Sequence, residues 1–512
     1  MKRFFILSSA VLLSISASAQ IPEDALKFSW NAPGGTARNQ GIGGAMGSLG
    51  GDLSTLFVNP AGLGFYKTGE FVISPGFSFL NSKSNFRGSA NSAKDNGFNL
   101  GTSGFVFGSG NNRGNWAGTA FGVAVTRSAN FNNQVFYKGN NDFSSFSEQY
   151  ALELSESNVS IDNVFSSNLS LPTKMAVYTY LIDTFRAAGG GLEVRGRPEF
   201  LALRDQQNRI TTTGGITEIA MGFAANKGDK FYIGGSVGLP IVNYERRTEY
   251  IETDATGNTD NDFAFSRYEE TYKTKGLGLN AKLGLIVKPV EQVRLGLAIH
   301  TPTIYGLTDQ VTAKMVTDVE KLFGPNDAGV DSIGSDYYYG NKPGEFKYDM
   351  TSPWRIMLSG SYVLRETQDV SQQRGFLTAD IEYVNYRSNR YSTAEEVDDD
   401  SYYEGVNKGV KEYYKGTFNF RAGGELKFTT IMARLGFAYY GNPYKDKELK
   451  GRKIFLSGGL GYRNKGYFVD LAYVLGLTRD ASFPYRLADK QNTFAALKNN
   501  SSNIALTVGL KF

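Results

Sequence analysis

Residues able to do covalent or metal chemistry are scarce in this chain. His300 is its single histidine and it has no cysteine. Serine- or cysteine-based acyl transfer would have to draw its general base from His300, and no G-x-S-x-G nucleophile elbow accompanies it. His300 falls near the end of a stretch with strand periodicity, where an interfacial strand residue is the expected role. The count excludes a histidine-rich metal centre. Carboxylates cluster in "STAEEVDDDSYYEG", Ser392 to Gly405. That run lacks the ligand spacing of an EF-hand, so a solvated acidic loop is expected. The sequence predicts no catalytic residue, no metal ligand, no cofactor and no enzymatic activity.

A second group of polar residues is placed by period-two alternation. In "NIALTVGLKF", Ile504, Leu506, Val508, Leu510 and Phe512 alternate with Asn503, Ala505, Thr507, Gly509 and Lys511. A strand puts these sets on opposite faces. The same parity sets Phe418, Phe420, Leu426 and Phe428 against Arg421, Glu425 and Lys427, and Leu435 and Phe437 against Arg434. It sets Leu377, Ile381 and Tyr383 against Asp380 and Glu382, and Tyr467, Val469 and Leu471 against Asp470. Arg355 opposes Trp354, Ile356 and Leu358; Arg294 and His300 oppose Leu295, Leu297 and Ile299. One face is apolar and the other carries charges of both signs, as a wall between lipid and a polar interior requires. Those charges could guide an acidic ligand, but mutual pairing inside a confined interior is the expected role.

The elements that hold these faces follow from the connections. Short turns such as Asn226 to Asp229, Lys288 to Gln292 and Arg463 to Gly466 alternate with long charged loops. The loops run from about Ala129 to Thr213, Tyr305 to Gly344, Ser392 to Lys411 and Asp480 to Ser501. Turns on one side and loops on the other describe a transmembrane antiparallel β-barrel, and the parity segments predict about fourteen strands. The composition of 60 Gly, 36 Phe and 30 Tyr in 512 residues agrees. A mean hydropathy of −0.30 is no objection, because lipid-facing and interior residues average out. A net charge of +4 with interspersed signs gives no support for a nucleic-acid partner.

At the N-terminus, Lys2 and Arg3 precede an apolar run, Phe4 to Ile15, and the A-x-A step Ala17-Ser18-Ala19. Residues 1–19 are therefore expected to be a signal peptide, with the mature chain starting at Gln20. A Gly-rich segment then precedes the first strand. Gly34, Gly35, Gly41, Gly43, Gly44, Gly47, Gly50 and Gly51 suit sharp turns and close approach. Asp52 can cap a turn through Phe57, and the Asn59-Pro60 step breaks it. Leu53, Leu56, Phe57, Val58 and Leu63 would be wasted in a free linker. Residues 20–69 are expected to form a hatch inside a barrel of residues 70–512.

That segment, "GTARNQGIGGAMGSLGGDLSTLFVNPAGLG", resembles the N-terminal hatch of the long-chain fatty acid transporter (FadL) family. The matching positions are Arg38, Gly41, Gly44, Asp52, Asn59, Pro60, Ala61 and Gly62, with similarity also in "KPVEQVRLGLAIHTP" and "LTADIEYVNY". The resemblance implies an outer-membrane protein of a Gram-negative bacterium. It implies passive uptake of hydrophobic compounds, with long-chain fatty acids the leading class and outer-membrane lipid as surroundings. It also implies that a kinked third strand releases ligand sideways; "WAGTAFGVAVTR" has Gly118 and Gly122 for such a kink. The alternative is a barrel used as a docking or scaffold component of a secretion or surface-assembly system. In the longest loop, "LPTKMAVYTYLIDTF" places Leu171, Met175, Tyr178 and Ile182 on one face of a helix. That face is either a greasy ligand-capture groove or the core of the loop itself.

Overall fold

Alternation with this period leaves each strand two faces to bury differently, and closing the sheet satisfies every edge. A computed structural model describes residues 22–29, 34–110, 116–187, 189–324, 329–365, 374–394, 401–447, 449 and 451–512. The expected signal peptide, and part of the acidic run at 395–400, lie outside the described residues.

The chain forms a closed antiparallel barrel of 14 strands. They are β1 (Glu70–Ile73 with Pro75–Phe86), β2 (Ser89–Leu100 with Ser103–Gly110), β3 (Trp116–Asn130 with Asn133–Asn141) and β4 (Arg204–Lys227). Next come β5 (Phe231–Asp254), β6 (Phe265–Val290), β7 (Val293–His300 with Ile304–Asp318) and β8 (Gly344–Thr351 with Arg355–Leu364). Then follow β9 (Gly375–Asn385 with Arg390–Thr393), β10 (Gly416–Phe428), β11 (Ile431–Tyr440), β12 (Lys453–Asn464), β13 (Tyr467–Ser482) and β14 (Ala495–Lys511). Each strand pairs with its sequence neighbour, and β14 closes on β1 with Glu70 opposite Lys511. Helices lie inside the barrel or over its long-loop end: α1 (Pro22–Ser29), α2 (Ala37–Gly41), α3 (Thr55–Val58), α4 (Glu148–Glu156), α5 (Leu171–Tyr178) and α6 (Ser401–Tyr413).

The parity reading holds around the wall. Ile504, Leu506, Val508, Leu510 and Phe512 are all exposed on the outside, as are Leu283, Leu358, Leu377, Leu435 and Leu471. Asp380, Glu382, Glu425, Arg434 and Asp470 are buried inside. The loops are shorter than expected, because β3, β4, β7 and β14 run on past the apolar band. There the outer face carries Arg209, Glu245, Arg247 and Lys273, while Tyr250, Tyr272 and Met315 still fill the interior. Beyond lipid the outer face meets water, so the apolar–polar contrast disappears although the strand continues.

One seam of the wall is incomplete. The β2–β3 ladder runs from Gly110 opposite Gly118 to Ser103 opposite Val125. Above it, Ser89–Leu100 pairs with β1 and Asn133–Asn141 pairs with β4. Among the described residues no backbone ladder joins those two segments. Asn91 Nδ2 donates to the Lys138 carbonyl across the gap at 3.2 Å, and Ser84 Oγ of β1 reaches over it to the Phe136 carbonyl at 2.6 Å. The third strand does break, but at Phe131–Asn132 rather than at Gly122, which stays in register opposite Gly222. Register shifts fall between Trp116 and Gly118 and between Arg127 and Ala129. At the break, Gly214 of β4 (φ +97°) donates its N–H to Asn132 Oδ1 at 2.9 Å. A side chain thus replaces a lost ladder partner.

Because the outer face of β6 lies against hydrocarbon, Leu283→Arg is expected to cost roughly 2–4 kcal/mol. Thr271→Arg, on the same strand beyond the apolar rows, is expected to stay within about 0.5 kcal/mol. Urea unfolding in lipid vesicles measures both; equal effects would contradict the placement of the apolar band.

Candidate functional site

Residues 34–66 have little regular structure; tight turns bond many of their backbone groups within the segment, and the remainder need partners from elsewhere. The wall supplies them through side chains. Thr507 Oγ1 accepts from Ala37 N at 2.7 Å, Ser457 Oγ accepts from Gly43 N at 3.1 Å, and Asp380 Oδ2 accepts from Gly47 N at 3.2 Å. Thr378 Oγ1 donates to the Ala45 carbonyl at 3.2 Å and Ser236 Oγ to the Leu56 carbonyl at 2.8 Å. His300 lies inside the barrel, not at its rim, with Nε2 2.8 Å from the Val58 carbonyl. Sequence parity turned Thr507, Asp380 and His300 inward, but nothing in the pattern pairs them with particular hatch atoms.

The residues singled out in the segment occupy its joints. Arg38 donates from Nη1 to the Gly51 carbonyl at 3.1 Å and lies 3.4 Å from Glu425. Asp52 accepts from Thr36 Oγ1 at 2.8 Å and from Ser54 N at 2.9 Å, ahead of α3. Asn59 is extended (φ −145°, ψ 101°), as a residue before proline prefers. Its Nδ2 donates to the Gly47 carbonyl at 2.6 Å and its Oδ1 accepts from Ala61 N at 3.1 Å. Pro60 opens a 3-10 turn, Pro60–Phe65, in which Ala61 and Gly62 are buried. Gly44 has φ +78°, and Gly41 ends α2 against the aliphatic part of Arg434.

Close approach decides two wall positions. A Cβ on Gly284 of β6 would coincide with Asn59 Oδ1, and one on Gly436 of β11 would strike the Gly43 backbone. The inward charges pair with each other: Arg434 with Glu425 and Asp470 at 2.6 Å each, Arg421 with Glu382 at 3.4 Å, and Lys511 with Glu70 at 3.4 Å. Most of these charges are therefore occupied in pairing, the role expected of them.

Space remains above this layer, toward the long loops. A cavity of about 650 Å³ lies against β12–β14 and β1–β3. Hydroxyl and amide groups of Ser78, Asn99, Ser501 and Asn503 line it together with the aromatic residues Phe131, Tyr413, Tyr414, Tyr444 and Phe455. It extends to both edges of the incomplete seam, at Leu100–Gly101 and at Arg127–Asn133. A smaller cavity of about 130 Å³ is lined by charged groups including Glu218, Lys282, His300, Glu382 and Arg421. The two share Gly34, Gly35, Arg127 and Ser128. α1 borders the larger one. Its Leu26 and Phe28 are buried, Lys27 Nζ sits 4.0 Å from the Tyr244 ring centroid, and Arg355 Nη2 donates to the Ser29 carbonyl.

The four loop residues do not share a helix face. α5 stops at Tyr178, and Ile182 begins a short hairpin strand, Ile182–Arg186, paired with Leu192–Gly196. Met175 and Ile182 are fully buried in a cap core with Phe146, Leu154 and Phe263, and Leu171 packs against its edge. Tyr178 is exposed and meets Phe165 edgewise and Tyr337 at a tilt. The helical spacing ended where Thr179 closed the helix, four residues earlier than the apolar run suggested.

Gly436→Val tests the close approach. It is expected to destabilise the protein by roughly 1–3 kcal/mol through overpacking and to expose residues 34–66 to limited proteolysis, whereas Gly458→Val, on an open stretch of β12, is not. Unchanged proteolysis of the Gly436 variant would show that the segment can shift freely.

No protein-family model matches the chain, and no curated protein matches its sequence. Solved structures do. A FadL homologue of Pseudomonas aeruginosa superposes with a TM-score of 0.53 at 14% identity, covering 94% of this chain and 100% of that one. The P. putida toluene transporter TodX gives 0.52 at 12% identity, covering 94% and 99%. The fold of this chain is that of the FadL-type barrels, as its N-terminal segment led one to expect.

Proposed function

We propose that this protein is an outer-membrane channel for the passive uptake of hydrophobic compounds, with residues 20–69 as an internal hatch. The observation that carries the reading is the continuity of the larger cavity with the incomplete seam between β2 and β3. Below that level the lumen is filled by residues 34–66, so a ligand entering from the long loops would meet a closed floor and an open side. A hydrophobic solute gains by leaving through that side into lipid, where its apolar surface stays out of water. No energy source is needed for such a route. The printed names of the structural neighbours, a FadL homologue and a toluene transporter, support the same class of cargo.

Within that class the cavity favours long-chain fatty acids over small neutral hydrocarbons. A lining that combines aromatic residues with asparagine and serine suits a molecule with an apolar tail and a polar head, and burial contributes roughly 0.8 kcal/mol per methylene. The placement of Met175 and Ile182 in the cap core moves the expected ligand contacts from α5 to this cavity.

Two outcomes follow. Removal of residues 20–64 is expected to raise leakage of small solutes through proteoliposomes; unchanged permeability would remove the hatch. Ser501→Trp, which fills the cavity from β14, is expected to lower binding of a fluorescent acyl probe by about tenfold, equivalent to about 1.4 kcal/mol. An unaltered affinity for that variant would place the ligand elsewhere.

A further inference from the structure

The outward face of β3–β6 changes character over two cross-strand rows. In the first row Thr217, Ile241 and Leu277 lie side by side. In the next, one step toward the long loops, stand Gly215, Asn243 and Lys275. Their chain neighbours Ile216, Val242 and Thr274 are buried inside, which fixes the second row as outward. The last apolar row, and with it the top of the hydrocarbon layer, therefore lies directly beneath Asn243 and Lys275.

Arg127 joins this place from β3. It stands opposite Thr217, and its Nη1 donates to Thr217 Oγ1 at 3.2 Å. Its guanidinium lies across Gly215, where a Cβ would be 2.5 Å from Nε and 2.7 Å from Cζ. The missing side chain of Gly215 makes the room. Among the described residues neither Arg127 nor Lys275 has a carboxylate partner, unlike Arg421 and Arg434 in the lumen. The nearest outward acid in the row above is Glu245, which Arg247 holds at 2.5 Å and Lys273 at 3.6 Å. Asp349 stands two strands beyond Leu277, past Gly306.

A guanidinium at the edge of hydrocarbon with one neutral acceptor is costly unless an anion reaches it. At that height the available anions are lipid headgroups. With strands about 4.8 Å apart, the guanidinium over β4 and Lys275 on β6 stand roughly 10 Å from each other, with the Asn243 amide between them. The fork of Arg127 can take two oxygens of a phosphate, Lys275 can approach as a point charge, and Asn243 adds a neutral donor. We propose that Arg127, Asn243 and Lys275 form a seat for the phosphate headgroup of a membrane lipid on the outside of the barrel. The proposal rests on the membrane-spanning reading of the wall, not on the identity of the cargo.

Native mass spectrometry of the full chain in neutral detergent tests it, using dioleoyl phosphatidic acid and dioleoylglycerol, which differ only in the phosphate. The wild type is expected to bind the phosphorylated lipid about tenfold more tightly or better, and Arg127→Gln and Lys275→Gln to lose about fivefold each. Lys67→Gln, at the short-turn end, is expected to lose nothing. Equal binding of the two lipids by the wild type would overturn the proposal without any variant. So would wild-type affinity in a folded double variant. Displacement of the lipid by inorganic phosphate alone would reassign the seat to a free anion. Acyl-probe binding in the cavity, followed for Lys275→Gln, is expected to be unaffected; its absence from the wild type would sink the transport reading and leave the headgroup comparison standing.

Discussion

A barrel interior filled by irregular backbone must give that backbone its hydrogen bonds, and everything else inside this wall follows from that requirement. Residues 34–66 close many of their backbone groups in tight turns among themselves, but a buried N–H or C=O left over and alone costs as much as a lost bond. The wall answers with short side chains: Thr507, Ser457, Thr378 and Ser236 each reach a hatch backbone group. Short donors require close backbones, and close backbones require the absence of a Cβ at Gly284 and Gly436. The chain's abundance of glycine is thus partly a consequence of what the barrel contains, not only of strand crowding.

The cavity follows from where this filling stops. The layer of short polar contacts ends near Gly34, and from there the lumen is bounded by α1 on one side and by β12–β14 and β1–β3 on the other. Ser78, Asn99 and Asn503 line the open side, and they bond chiefly to each other: Asn99 Nδ2 reaches Ser78 Oγ at 2.6 Å and Asn503 Oδ1 at 2.7 Å. Side chains satisfied among themselves leave a surface that a ligand can cross without breaking the wall. The seam between β2 and β3 lies at the same height: their ladder ends at Ser103 opposite Val125, and a few residues on, β3 also breaks from β4 at Phe131–Asn132, where Asn132 caps Gly214. The cavity and the gap in the wall meet there.

The barrel was legible because period-two alternation is a direct imprint of a wall with unlike sides. Leu506, Leu435 and Leu377 read outward from their neighbours alone, and they are outward. Strand ends were less legible. Beyond the apolar band, "RDQQNRITT" at the start of β4 is polar on both faces, so Arg204 to Thr212 read as part of the loop. The joints at Asp52 and Asn59 were marked by the capping residue and the Asn-Pro step, since these constrain local backbone, and Arg38 by the family resemblance. Their wall partners were not, because contacts such as Ala37 to Thr507 join residues at opposite ends of the chain. The apolar run at α5 left two readings open for a related reason: helical spacing says what is buried, not whether a loop core or a ligand buries it.

The paired charges of the lumen bear on how the hatch is held rather than on how tightly the protein folds. Burying Arg434, Glu425 and Asp470 costs several kcal/mol per ion in lost hydration, and their mutual attraction does little more than offset it. A net gain in stability is therefore not the reason to place them there. What they do is penalise every arrangement in which one of them is left alone. Arg38 shares Glu425 with Arg434 while holding the Gly51 carbonyl, so a hatch shifted along the wall would strand a carboxylate or a guanidinium in a confined space. The pairing fixes the register of a segment that has too little secondary structure to fix its own. Ion pairs of this kind give the lumen a fixed floor without adding any bulk that would fill the cavity above.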